Sequence, residues 1–386
     1  MRPEYIKLDT EKPVYIRKDR LGEIAEVDMT VFDCDGVLLD VRRSYNKAVA
    51  QTTITIIETF TGTRLPEEMF DGPLNFKYKT TGGFNNDWTH TYAYIMRILA
   101  EAGAEGLMEI NRVAVESLEY ETPADRFNYI KGKLSISIPI KGLYEKLGEF
   151  ASRLDATGIE SVDHELLDIV GLKVKETLKF RGEVGDSMVS TLFEELFGGQ
   201  VLFTETFGFP PSFVEVEHGI VEDEEIVVTD STINQLEKLY GGARFGIASG
   251  SLANTARHAL GAILGRFPEP SRIWHDVVDD FMRELGQEGL HKPNKFPLIK
   301  SAEPYRPFNK ALYVGDTMAD YLTAQNAGDD FLFAGVYECV HQPEEAMTAF
   351  LDRGSDIVAP TVNELPMIIR YAREQQLGEV HKHVSP

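Results

Sequence analysis

The chain is poor in cysteine. Cys34 and Cys339 are the only two thiols in 386 residues, too few for a disulfide framework, and no CxxC pair is present. Such usage fits a reducing compartment. Long apolar runs are also missing. No stretch approaches the roughly 18 apolar residues of a membrane span, and the N-terminal MRPEYIKLDTEKP has no apolar segment of a secretory signal. A soluble, cytoplasmic protein without a membrane partner is expected. Positive charge is in deficit: 39 Lys and Arg face 62 Asp and Glu, a net charge of −23. That balance excludes nucleic acid as an expected partner, because its recognition needs a basic face. It is compatible with a local basic pocket for a small anion. Neither an internal repeat nor a low-complexity tract is visible, and oligomeric state is not legible.

What is present is an alternation of strand and helix patterns. VYIRKDRLGEIAEVDMTVFD, residues 14–33, reads as a strand, a polar turn at Gly22 and a second strand ending at Asp33. SYNKAVAQTTITIIETFTG has helical spacing after a Ser cap and ends at Gly62. Helical segments continue to about residue 200; DWTHTYAYIMRILAEAG and DSMVSTLFEELFGG each carry a capping-type acid and a Gly stop. Beyond 226 the texture changes. IVVTDSTINQLEKLYGGARFGIASGS reads helix then strand, ALYVGDTMADYLTAQNAGDDFLFAGV reads strand, helix, strand, and SDIVAPTVNELPMIIRYAREQ closes with a strand and a helix. The fold class expected is α/β, with a doubly wound, Rossmann-like parallel sheet. Residues 1–40 and 226–386 would form this core, and residues 41–225, too long for a crossover, a mostly helical inserted domain. The acidic EVEHGIVEDEE, 215–225, falls at the junction.

VFDCDGVLLD, residues 31–40, places two acids one residue apart after an apolar run. In an extended chain Asp33 and Asp35 share one face while Cys34 points into the core as an inert thiol. Paired carboxylates repel, and a shared proton or a metal ion must offset them. Three further polar positions follow apolar runs: Ser249 in FGIASGS, Lys292 in GLHKPNKFPL, and Asp316 with Asp320 in ALYVGDTMAD. Parallel sheets bind ligands at the carboxyl ends of their strands, so these groups should converge. Four carboxylates suit a hard dication with oxygen ligands, foremost Mg2+. Ser249 and Lys292 add a donor and a positive charge for phosphate oxygens.

These four motifs resemble those of the haloacid dehalogenase superfamily. VFDCDGVLLD matches hhhDxDGxxxD, FGIASGS the strand ending in Ser or Thr, HKPNKFPL the Lys-Pro, and GDTMADYLTAQNAG the pattern GDxxxDxxxAxxAG, all in the superfamily's order. The position of the insertion is similar to the phosphoglycolate-phosphatase-like branch with a helical cap, here enlarged about twofold. The resemblance implies a magnesium-dependent phosphatase of a small phosphorylated metabolite. Asp33 would be the nucleophile, carrying an aspartyl-phosphate, and Asp35 the general acid and base. Asp33, Asp316 and the backbone carbonyl of Asp35 would bind Mg2+, with Asp320 supporting the metal indirectly. Ser249, Gly250 and Lys292 would hold the phosphoryl group. A phosphomutase, or a binding protein that has kept the fold, are the alternatives.

Some positions admit simpler readings. Ser249 has the placement of a helix N-cap, Asp320 of an exposed helix acid, and Asp40 of a cap for the helix near Ser44. Lys295 and Lys300 rival Lys292. In the insertion, FKYKTTGGFNNDWTHTYAY resembles a prokaryotic subgroup of the superfamily, a likeness that names no substrate. There Asn85, Asn86 and Asp87 follow a Gly-Gly turn suited to a mobile loop, and Lys77, Lys79 and Arg181 are candidates for a second anionic group. A helix-connecting turn with solvated charges is the competing reading. The nine His residues show no ligand spacing and are read as surface or core.

Overall fold

The computed structural model describes residues 3–84 and 86–383. The chain divides into two compact units, residues up to 42 with 224 onward, and residues 43–223.

The first unit is built on an eight-stranded sheet. Its strands are β1 (Tyr5–Leu8), β2 (Val14–Arg17), β3 (Val27–Phe32), β6 (Phe245–Ala248), β7 (Arg272–Ile273), β8 (Lys310–Gly315), β9 (Phe331–Val336) and β10 (Ile357–Ala359). A separate ribbon pairs β4 (Leu39–Asp40) with β5 (Glu225–Ile226). The sheet order is β1-β2-β10-β9-β8-β3-β6-β7. From β10 to β7 every pairing is parallel, and β1 and β2 add an antiparallel edge. Both faces are covered, as a parallel sheet requires. Phe32, Leu312 and Val314 enter the core cluster on one face; Met29, Val31, Ala311 and Tyr313 enter the other. Phe32 meets Phe245 and Phe267 edge-on, with centroids 6.2 and 5.7 Å apart. Its truncation to Ala would cost about 3–5 kcal/mol.

Chain order places β3 centrally, with β6 on one side and β8 on the other. This is the switch point at which open α/β sheets form their ligand crevice. The polar turn expected at Gly22 is instead a 3-10 turn, Lys18–Arg20, running into a short helix, Leu21–Ala25. Gly22 needs no positive φ, and the helical turn lets Ile24 and Ala25 reach the core.

In the second unit every regular element among the described residues is a helix. The helix Ser44–Thr61 ends at Gly62 with φ 74°, where Gly accepts the left-handed conformation at little cost. It packs against Asp87–Leu99 and Met188–Phe207. Two details differ from the expected caps and stops. Asn86 rather than Asp87 caps the helix Asp87–Leu99, and Ser187 rather than Asp186 caps Met188–Phe207. That last helix does not stop at its Gly pair but kinks at Gly199 and continues. Continuation buries Leu202 and Phe203, and a side chain at Gly199 would collide with the backbone of Gly219.

Trp88 ties two of these helices together, its indole N–H donating to Glu194 Oε1 at 2.9 Å. Burial, helped by the charge of Asp87 and opposed by the Trp88 hydrogen bond, raises the Glu194 carboxyl from 4.5 to about 7. The fold therefore favours the protonated acid. Its contribution is complete below pH 4.5 and is lost as pH rises through 7. Glu194→Gln should leave the urea midpoint near wild type at pH 4.5 and raise it above wild type at pH 8; equal shifts at both pH values would refute this assignment.

Candidate active site

Asp33 follows β3 directly, Ser249 follows β6, and Asp316 follows β8. Three adjacent parallel strands thus deliver three polar side chains to one edge. Lys292 arrives from the segment ahead of the helix Phe296–Ala302. Its Nζ lies 2.8 Å from Asp33 Oδ2 and 2.7 Å from Asp320 Oδ1. The other oxygen of Asp33 accepts the Cys34 backbone N–H at 2.7 Å. Carboxylate oxygens of Asp33, Asp316 and Asp320 lie within 4.8 Å of one another. Of these residues Asp33 is 5% exposed and Asp320 fully buried.

The two acids after β8 have opposite surroundings. Asp320 spends both oxygens: Oδ1 on Lys292 and on the Tyr313 hydroxyl at 2.8 Å, Oδ2 on the N–H and hydroxyl of Thr317. Thr317 in turn accepts from the Asp320 N–H, completing a capping box at the start of the helix Met318–Ala327. Burial alone would raise the Asp320 carboxyl, but Lys292, Thr317 and Tyr313 hold it below the usual range. Asp316 makes no hydrogen bond among the described residues. Burial, then Asp320 and Asp33, push it well above the usual carboxylate range, with Lys292 opposing. Asp33 is raised to about 7, by burial first, against the pull of Lys292. Burial disfavours the Lys292 ammonium, yet Asp320 and Asp33 outweigh it and hold the lysine protonated.

Three carboxylates face one ammonium. The remaining negative charge, the bare carboxylate of Asp316 and the all-oxygen donor set fit a hard divalent cation. Asp33, Asp316 and Asp320 each offer an oxygen to such an ion, those of Asp320 already accepting from Lys292, Tyr313 and Thr317. Gly36, with φ 72°, turns the chain out of β3. A Cβ there would overlap the Asp316 carboxylate, so the glycine also clears room for the cluster.

Asp33, Lys292, Asp316 and Asp320 are therefore brought together. The Asp35 carboxyl is not among the clustered oxygens; its residue sits in the bridge Asp35–Leu39, where the strand has already turned. Ser249 is buried and shares a 2.9 Å hydrogen bond with Ser251. It does not cap the next helix, since Leu252 occupies that cap and Asp276 accepts the Ala253 N–H. Gly250 is exposed. Asp40 binds Arg42, at 2.9 Å from its Nε, and Arg43 occupies the N-cap position of the helix that begins at Ser44. Lys295 is exposed and Lys300 pairs with Glu303, which leaves Lys292 as the site's cation. Cys34 is buried and its thiol is pushed up by burial and by Asp35 and Asp33. Tyr313, Thr317 and Ser251 belong to the site and carry no motif; only the T-x-x-D spacing of a capping box marks Thr317 in advance.

In the second unit Lys79 pairs with Asp87 at 3.4 Å and Asn86 caps its helix. Lys77 is exposed, with its Nζ over Gly148, and Arg181 is exposed after the helix Leu172–Leu178. Asn85 lies outside the described residues.

A family model for haloacid dehalogenase-like hydrolases matches residues 27–328. No curated protein matches the sequence. Among solved structures, an X-ray structure of a Northeast Structural Genomics Consortium target is similar over 90% of this chain and 100% of its own, with 17% identity and a TM-score of 0.67. Phosphatase Tt82 from Thermococcus thioreducens aligns over 83% of this chain and 98% of its own, with 18% identity and a TM-score of 0.47. At such identity the likeness is one of fold. No helix among the described residues is long and apolar enough to cross a membrane.

The saturated environment of Asp320 predicts that Asp320→Asn lowers the unfolding free energy by up to about 3–5 kcal/mol, the scale for breaking a buried ion pair. Lys300→Met, which removes a surface pair, should change it by less than about 1 kcal/mol. Urea titrations of both variants check this; equal effects would contradict the ranking.

Proposed function

Because the chain belongs to the haloacid dehalogenase-like hydrolases, we propose that it is a magnesium-dependent phosphatase of small phosphorylated metabolites, working through an aspartyl-phosphate on Asp33. The observation that carries this reading is the Asp33 carboxylate at the end of the central strand, 2.8 Å from the Lys292 ammonium and beside the bare carboxylate of Asp316. A nucleophilic carboxylate must be ionised and oriented. The ammonium favours ionisation against burial, and the Cys34 N–H fixes the orientation.

In the first step a carboxylate oxygen of Asp33 attacks phosphorus in line. The new O–P bond forms as the bond to the alcohol oxygen breaks, and Asp35 gives that oxygen its proton. In the second step Asp35, now a carboxylate, takes a proton from water as the water oxygen attacks phosphorus. The bond to Asp33 breaks, inorganic phosphate leaves, and both acids are restored. Lys292 and the hydroxyl of Ser249 bind the phosphoryl oxygens, and Asp320 holds Lys292 in place. Asp33, Asp316 and the backbone carbonyl of Asp35 would hold Mg2+, which supplies charge neutralisation on the transferring group. We assign the choice of leaving group to residues outside the four motifs, with the exposed cations Lys77 and Arg181 as candidates.

Phosphate release from an aryl phosphate and a panel of phosphorylated sugars, glycolate and nucleotides tests the reading. Release should require Mg2+, vanish with chelator, and fall by at least about 10³-fold in Asp33→Asn. Activity surviving in that variant would remove Asp33 as nucleophile. Phosphoryl exchange that needs a bisphosphate, without net release, would point to a mutase. Gly36→Ala should also lower turnover, by displacing Asp316, with the fold retained by circular dichroism.

A further inference from the structure

The helix His275–Leu285 opens with His275 and carries Asp279 one turn later on the same face. His291 returns to that face from the following segment. The two imidazole rings stack, with centroids 4.1 Å apart and planes 17° from parallel. Both point Nε2 at one carboxylate: Asp279 Oδ1 is 2.8 Å from His291 Nε2, and Oδ2 is 3.7 Å from His275 Nε2. One ligand atom from each of the three residues lies within 4.8 Å of the others. The expectation that no histidine has ligand spacing thus fails here. HDVVD places His and Asp at i and i+4, a spacing that is legible once the helix is known.

We infer that His275, Asp279 and His291 form a second metal site, for a borderline divalent ion of the zinc type. Two imidazole nitrogens and one carboxylate oxygen suit Zn2+ and its Co2+ and Ni2+ analogues, whereas Mg2+ and Ca2+ take oxygen sets. Three protein ligands leave one tetrahedral position for water. The ligands are partly exposed, with side chains 31–44% accessible, so the ion can enter and exchange. Thiolates are absent from the cluster, as expected for an exchangeable rather than a purely structural site.

The location gives the site a consequence. His291 immediately precedes Lys292. At the other end, the His275 N–H donates to the Ser251 carbonyl at 3.1 Å, and Ser251 is bonded to Ser249. An ion held by both histidines would tie together the two segments that present Lys292 and Ser249. Binding itself does not depend on the phosphatase reading; only its effect on turnover does.

The test uses the full-length protein, stripped with chelator and returned to millimolar Mg2+, which occupies the hard-ion set. Zn2+ is titrated by calorimetry, and Co2+ is followed by visible absorption. One ion should bind per chain, with a tetrahedral Co2+ spectrum. Affinity should fall at least about tenfold in His275→Ala and in Asp279→Asn and persist in Asp33→Asn. Absence of binding in Mg2+ would overturn the inference. So would binding unchanged in both His275→Ala and Asp279→Asn, or binding lost in Asp33→Asn, which would move the ion to the acidic cluster. These readouts stand whether or not phosphate is released.

Discussion

The contact on which the site depends is the Lys292 ammonium lodged between Asp33 and Asp320. Adjacent parallel strands necessarily end side by side, so acids placed at their carboxyl ends crowd. Two like charges about 4 Å apart repel by roughly 4 kcal/mol at the effective dielectric of a protein. One buried ammonium within hydrogen-bond distance of two of those acids offsets much of that cost, and it does so without consuming Asp316. This cation thus links the acid after β3 with the acid that follows β8 and with Tyr313 of β8 itself.

The asymmetry between Asp316 and Asp320 has a local cause. Both lie in one short stretch after β8, but Asp320 is the third residue of a helix whose cap is Thr317. Ordinary helix capping holds one oxygen and leaves the other facing Lys292 and Tyr313. Asp316, ahead of the cap, has no such partners. Close approaches reinforce the arrangement, since a Cβ at Gly315 would strike Asp320 and one at Gly36 would strike Asp316. A generic element of helix chemistry thereby separates a positioning acid from one bare enough to meet a cation.

Much of this was legible in the sequence because it is local. The strand-then-acid pattern located Asp33 and Asp316, alternation of strands and helices implied the parallel sheet, and motif order matched a family whose model spans most of the chain. Other features were not legible because they depend on packing. Tyr313 looks like one more apolar strand residue until β6 brings the Ala248 carbonyl 3.0 Å from its hydroxyl. Asp320 gave no sign that burial would absorb both its oxygens. The turn at Gly22 is helical because Ile24 and Ala25 need cover. The Gly pair at 198–199 failed as a stop because apolar residues resume beyond it. Positions 77–87 show the same limit: Lys79, Asn86 and Asp87 are occupied by a salt bridge and a cap, contacts that composition alone does not reveal.

The central place of β3 has a consequence for synthesis. Its neighbour β6 is encoded roughly 210 residues later, which at about 5–20 residues per second is on the order of 10–40 s of translation. Its other neighbour, β8, comes later still. During that interval a largely apolar strand, VDMTVF, stands with both hydrogen-bonding edges open, a condition that invites aggregation. The helical unit of residues 43–223 emerges next, and its contacts are largely its own. The strand bearing Asp33 therefore waits for its sheet while the whole of residues 43–223 is made, and its edges must stay out of other pairings until then.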